Sequence, residues 1–256
     1  MVEIIQLYKG EQYKEWTDKV DEDCKFNLSQ PLLTRNEESN LISVNFNPKL
    51  EAVLREVRYS QYIGENEIPD SAAKLFERHD QLRLWVATLH QTVHWYNKIR
   101  KTVLDVEYPL IEKQLGEVDS QLKRAEAELN WSGDNIEYIK SIHATVQDLE
   151  ERLQKTKDNV DNIKKIMKVW SESPLFDRKI EKEPGLINLA DREDRLKKRY
   201  ALIEESGNKI HALIGENLEF FKADGATPEW DSYRQFVDSM IVEGFFEAIK
   251  VGFQAF

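Results

Sequence analysis

The sequence predicts an all-α protein: an elongated bundle of long antiparallel helices with a kinked hairpin, and one small β-hairpin near residues 31–46. Three observations predict it. Apolar residues recur at seven-residue steps through Leu75, Leu82, Leu89, Tyr96, Val103 and Leu110, with Val86 and Val93 filling a second seam position. A stripe at that period marks a helix packed along one face. A second, coiled-coil-like seam runs through Ile142, Val146, Leu149, Leu153, Thr156, Val160, Ile163, Met167 and Trp170, in alternating steps of four and three. Such steps suit helices crossing at about +20°. Gly and Pro number only 10 and 7 in 256 residues, so few turns are available.

The elements follow in order. Residues 1–30 carry a rough helical face of Ile5, Tyr8, Tyr13, Trp16 and Val20. Asn27 to Asn40 reads as a loop or extended segment holding Pro31 and the turn-forming run Asn36-Glu37-Glu38-Ser39-Asn40. Leu41 to Phe46 alternates and is β-branched, so a short strand there can pair with Pro31–Thr34. Asn47-Pro48 is a helix start, a capping side chain before a proline at the first helical position. Leu50, Val53, Leu54 and Val57 follow on one face, and Gly64 to Pro69 ends that helix.

Pro69 to Trp131 reads as one very long helix or two collinear ones, capped near Asp70 or Ser71, spanning roughly 90 Å at ~1.5 Å per residue. The stripe changes phase at Pro109 and resumes through Ile111, Leu115, Val118, Leu122, Ala125 and Leu129, which predicts a kink at the proline. Asn130 to Asp134 is the turn into an antiparallel helix over Asn135–Trp170. A connection with Pro174 and Pro184 follows. The next helix starts at Leu186 or Asn188 and carries Leu189, Leu196, Tyr200, Ile203, Ile210, Leu213, Ile214, Leu218 and Phe221. Gly225-Ala226-Thr227-Pro228 ends it and caps the last one, whose apolar end reads as though the chain continued. The expected division is 1–68, a helix and loop segment with the hairpin; 69–223, long helical hairpins; and 224–256, the start of a further bundle.

Composition and motifs exclude several functions. With 32% charged residues and a formal net charge of −11, the surface repels phosphate backbones, and no basic run with interleaved aromatics offsets this. Nucleic acid is therefore not an expected partner. No run of eighteen apolar residues exists, so no membrane partner is expected. Six Trp, nine Tyr and eleven Phe exceed what a two-stranded coiled coil needs, which points to multi-helix packing. The single cysteine, Cys24, can form no intramolecular disulfide and reads as a buried thiol.

None of the ten glycines sits in a phosphate-binding loop, so no nucleotide cofactor is expected. His90 and His94 have the spacing of a zinc pair, but Gln91 stands where a zinc protease needs glutamate and no third ligand is evident. They read as interhelical or solvated polar residues. Asp21-Glu22-Asp23, Glu37-Glu38 and the run Asp191 to Arg195 read as surface charge. Lys197-Lys198-Arg199 reads as a solvated face, with an acidic protein surface as the alternative. Arg55 and Arg58, one turn apart, are expected to pair with neighbouring helices rather than with phosphate. No catalytic, cofactor-binding or metal residue is assigned, and no enzyme activity is expected of this segment.

Ordered short runs carry a resemblance. They are Gln30-Pro31-Leu32-Leu33-Thr34-Arg35, Val44-Asn45-Phe46-Asn47-Pro48-Lys49-Leu50 and Leu54-Arg55-Glu56-Val57-Arg58-Tyr59. Then come Ile68-Pro69, Trp95 to Arg100, Glu107 to Ile111, Glu128 to Trp131, Pro174-Leu175-Phe176, Arg199-Tyr200 and Gly207 to His211. Together the set resembles the N-terminal tail region of axonemal dynein heavy chains, most like an outer-arm β- or γ-type. The resemblance implies a non-catalytic scaffold of helical bundles in a microtubule motor of the cilium or flagellum, in the cytoskeleton of the cytoplasm. Other heavy chains, intermediate and light chains, and docking proteins of the axonemal doublet are the implied partners. Unequal helix lengths, and Pro-Leu-Leu and Val-Asn-Phe segments near the N-terminus with no second copy, disfavour the alternative, a spectrin-like rod, which would repeat one three-helix unit. Phe245, Phe246, Phe253 and Phe256 form a candidate contact with a next bundle.

Overall fold

A computed structural model describes residues 2–63, 67–172 and 189–254. Among them the chain forms eight helices and one two-stranded sheet. They are α1 (Val2–Leu28), β1 (Leu33–Arg35), β2 (Ile42–Val44), α2 (Pro48–Ile63), α3 (Asp70–Glu77), α4 (His79–Thr102), α5 (Tyr108–Ala127), α6 (Ile136–Glu172), α7 (Leu189–Phe221) and α8 (Pro228–Gln254). The all-α class with a small hairpin is as the sequence predicts. Two compact units divide the chain: Met1–Lys101 with Gln114–Asp148, and Thr102–Lys113 with Leu149–Phe256.

In the first unit, β1 and β2 pair antiparallel, with Leu33 opposite Val44 and Arg35 opposite Ile42. So short a hairpin is not stable alone and must dock. Leu32 and Leu33 are fully buried under it. The Asn97 amide on α4 donates to the Ile42 carbonyl (2.8 Å) and accepts from its N–H (3.0 Å), satisfying both backbone groups of Ile42 on the open side of β2. Asn47 accepts from the Lys49 N–H at 2.9 Å and starts α2 as its capping side chain predicts. Leu50, Val53 and Val57 are buried on the inner face of α2.

The long rod expected from Pro69 to Trp131 is not formed. Arg78 alone separates α3 from α4; α3 begins at Asp70, near where its cap was expected, with Pro69 at the N-cap and no side-chain cap. Residues 103–107 then turn the chain back. Tyr96 of α4 donates to Asp119 of α5 at 2.6 Å, a pairing centred on that turn. Pro109 lies in the first turn of α5, where its missing N–H costs nothing. The phase change at the proline marks a new antiparallel helix rather than a kink. The seams stand in part: Leu75, Leu82, Leu89, Val93 and Tyr96 are buried on one side and Ile111, Leu115, Val118, Leu122 and Ala125 on the other, whereas Val86, Val103, Leu110 and Leu129 are only half-buried and Val103 lies in the turn itself.

The Asn130–Asp134 turn is as expected. Asn130 Oδ1 accepts from the Ser132 and Gly133 N–H groups (3.1 and 3.2 Å), and Arg78 donates to the Ser132 and Gly133 carbonyls. Trp131 is fully buried; its indole donates to the Asn45 carbonyl at 2.7 Å and its ring meets Phe46 edge-on.

Along α6 the seam holds at Ile142, Val146, Leu149, Leu153, Thr156, Ile163, Met167 and Trp170. Asn159 is buried where Val160 was expected. In the second unit its amide donates to Asn217 Oδ1 of α7 at 2.9 Å, and Asn217 donates to the Tyr233 hydroxyl of α8 at 2.9 Å. This chain satisfies the polar groups inside a helix contact and fixes its register. Met167 lies so close to Gly244 of α8 that a Cβ there would come within 2.7 Å of its Sδ. α7 ends with Lys222 at φ 52, the Ala223 N–H bonding the Leu218 carbonyl and the Lys222 N–H that of Glu219. That is a left-handed cap. Thr227 and Pro228 start α8 as expected, the Trp230 N–H reaching the Thr227 hydroxyl at 3.4 Å. Leu196 and Tyr200, expected on the α7 seam, are exposed. The expected break at Gly64 lies outside the described residues; of the connection expected over Ser171–Gly185, Ser171 and Glu172 still belong to α6 and the rest lies outside the described residues.

Candidate functional site

Arg35, at the end of β1, gathers four polar partners from the hairpin loop, α4 and α5. Its guanidinium forks onto Glu126 of α5, Nη2 at 2.8 Å and Nε at 3.1 Å from the two oxygens. Nη2 also lies 2.9 Å from Asp119 Oδ1, and Nη1 donates to Asn40 Oδ1 (3.1 Å) and the Tyr96 hydroxyl (3.4 Å). A bidentate arginine–carboxylate pair carries both energy and geometric specificity. One side chain thereby ties the hairpin to α4 and α5. Burial pushes the Tyr96 hydroxyl up, and Asp119 adds to it as an acceptor. Burial also pushes Asp119 up, but hydrogen bonds from Tyr96 and Lys123 and the charge of Arg35 outweigh it and leave the carboxyl lowered. The arginine, both carboxylates, the tyrosine and the asparagine are thus joined in one network. Periodicity could not find it, because Arg35, Asp119 and Glu126 become neighbours only when the hairpin docks.

Glu107 is a fully buried carboxylate. It is 1% exposed, precedes α5, and accepts from the Leu104 N–H at 3.0 Å. Burial raises its pKa, only partly countered by that backbone bond and by Lys157. Nothing in the heptad pattern singles it out.

The residues read from the sequence fall as follows. His90 and His94 are both exposed, and no group of three or more metal-ligating side chains occurs among the described residues. Cys24 is buried, and burial, with Asp21 beside it, pushes its thiol up to about 11. Lys197 and Lys198 pair with Glu193 and Asp194 one turn away (2.8 and 2.7 Å) as a solvated face. Asp23 accepts from Lys49 at 3.0 Å. Phe245 stacks on Trp170 at 4.3 Å, inside the second unit, whereas Phe246 is exposed. The side chains of Phe253 and Phe256 lie outside the described residues. Arg58 Nη2 meets His79 Nε2 of the neighbouring α4 at 3.5 Å; among the described residues Arg55 has no ion-pair partner, and both arginines line a cavity between α2 and α4. Among the described residues no helix is long and apolar enough to cross a membrane.

The docked hairpin, its turn and the first long helices lie within residues 1–139, which match the family model described as "Dynein heavy chain, N-terminal region 1". The chain belongs to the dynein heavy chain family, as its N-terminal region rather than its motor. It is 54% identical over 250 residues to "Dynein beta chain, ciliary" of Tripneustes gratilla, covering 97% of this chain and 6% of that protein. It is 43% identical over 251 residues to "Dynein axonemal heavy chain 9" of Homo sapiens, covering 98% and 6%. "Dynein beta chain, flagellar outer arm" of Chlamydomonas reinhardtii is 29% identical over 276 residues, covering 94% and 6%. The chain thus spans 6% of the length of these relatives, and its likeness is to outer-arm β-type chains.

Proposed function

We propose that this chain is part of the tail of a ciliary or flagellar outer-arm heavy chain and works there as a non-catalytic scaffold. In this reading it joins heavy chains, carries intermediate and light chains, and transmits motor force to the axonemal doublet. The observation that carries it is the family match over residues 1–139 together with 54% identity to a ciliary β chain across nearly the whole length. The fold supports it. Arg35, Asn97, Trp131 and the Asn159–Asn217 pair are spent on fixing elements against one another, as a part that bears load requires. An axonemal location follows from the ciliary and flagellar relatives.

The experiment is to read the parent transcript onward from the codon for Phe256. Several AAA modules with G-x-x-x-x-G-K-[ST] loops are expected. A stop codon, or further helical repeats without such loops, would overturn the tail reading in favour of a structural rod.

A further inference from the structure

The cavity in the first unit between α2 and the first turns of α4 has a volume of about 370 Å³. That is within the range of roughly 300–1,000 Å³ in which proteins seat ligands. Its apolar lining comes from Phe46, Leu54, Leu82 and Val86. Its charged lining is Arg55 and Arg58 from α2 and Arg83 from α4, against a single carboxylate, Glu51. Among the described residues Arg55 and Arg83 have no ion-pair partner. Arg58 Nη2 meets only His79 Nε2, at 3.5 Å, while His79 Nδ1 faces Asp80 at 3.1 Å. Elsewhere Arg35, Arg124 and Arg234 are closed on carboxylates. Three guanidinium groups that no carboxylate neutralises among the described residues stand around one apolar floor, and in a chain of net charge −11 they form a local positive field with a hydrophobic centre.

We propose that this cavity docks an acidic peptide segment of a partner protein. One large apolar side chain of the segment enters the cavity, and flanking carboxylates pair with Arg55, Arg58 and Arg83. The planar guanidinium fork matches a carboxylate, and the apolar floor gives the peptide an anchor that a bare ion lacks. A phosphate group fits less well. Phosphate sites recruit free backbone N–H groups, but those of Lys49 and Leu50 at the start of α2 are already bonded to Asn47. Glu51 would also oppose a doubly charged group. That the peptide belongs to an assembly partner rests on the scaffold reading; the site itself does not.

The test is fluorescence anisotropy of the 256-residue chain with a short fluorescein-labelled polyglutamate peptide carrying one central phenylalanine. Saturable binding is expected. Arg55→Glu combined with Arg83→Glu should weaken it by at least about tenfold, since reversing charges at a contact replaces attraction with repulsion. Val86→Trp, which fills the floor and leaves every arginine in place, should weaken it too. Lys197→Glu with Lys198→Glu makes the same charge change on the exposed face of α7 and should leave binding intact. Both arginines are exposed, so the reversal variant keeps its fold, which circular dichroism checks. Absent saturable binding overturns the proposal. So does equal loss in the α7 variant, equal affinity for a peptide with alanine in place of phenylalanine, or displacement by equimolar inorganic phosphate. Because the transcript and the peptide are read separately, failure here leaves the tail assignment standing, and the converse also holds.

Discussion

Arg35 sits on a three-residue strand yet meets two carboxylates, a tyrosine and an asparagine. Its side chain is 14% exposed, with Glu126 at 17%. Removing one partner of so enclosed a pair leaves the other desolvated without compensation. Arg35→Met is therefore expected to cost about 2–4 kcal/mol in a urea titration. Arg35→Lys should recover less than half, because an ammonium cannot make the fork. A loss within ~0.5 kcal/mol would show that the network is incidental. Glu107 makes a different prediction. Its folded pKa lies above its ordinary value of 4.5, so at neutral pH the buried charged form opposes folding. That penalty is relieved as pH falls through the folded pKa toward 4.5. Glu107→Gln should therefore stabilise the protein at pH 7, with the advantage over the natural chain shrinking at pH 5. Urea midpoints at both pH values check this, and an advantage that grows toward pH 5 would reverse the sign of the argument. Neither residue was legible in the sequence, where a lone arginine or glutamate carries no period.

At the scale of the element, the sequence was most legible where one face is buried at a constant step. The α6 seam was placed residue by residue, save that Asn159 rather than Val160 turns inward. Sequence hydrophobicity favours the valine. Tertiary structure chooses the asparagine because Asn217 and Tyr233 complete its hydrogen bonds. Leu153 is 3% exposed in the middle of this helix. Leu153→Pro should cost ~3 kcal/mol or more from the backbone alone and lower both helical ellipticity and the melting temperature; an unchanged melt would remove the seam assignment. At the α4–α5 turn the structure departs from the sequence pattern. A phase shift beside a proline describes a kinked helix and a fresh helix start equally well. Only the pairing of Tyr96 with Asp119 separates the two.

Across the whole molecule, burial is unevenly distributed. The inner faces of α4, α5 and α6 are almost fully buried, while the first half of α1 and residues 193–200 of α7 expose Tyr8, Leu196 and Tyr200 at 62%, 64% and 70%. Helical hydrogen bonds without packed cover open at lower free energy. Amide exchange is expected to be slowest in α4–α6 and faster by orders of magnitude over residues 7–15 and 193–200. Uniform protection along all eight helices would contradict the packing.

The sequence by itself determined the all-α class, the hairpin near residues 31–46, the caps at Asn47 and Thr227, the turn at Asn130 and the family. Each of these is written in local chemistry: a period, a capping side chain, or an ordered run of residues. Tertiary structure alone decided that the Pro69–Trp131 stretch folds back and that Arg35 joins Glu126 and Asp119. It also decided that Arg55, Arg58 and Arg83 share one cavity. Those facts depend on distances between residues far apart in the chain. Such distances are fixed by which faces can be buried together and which buried charges can be matched, and a one-dimensional pattern carries neither.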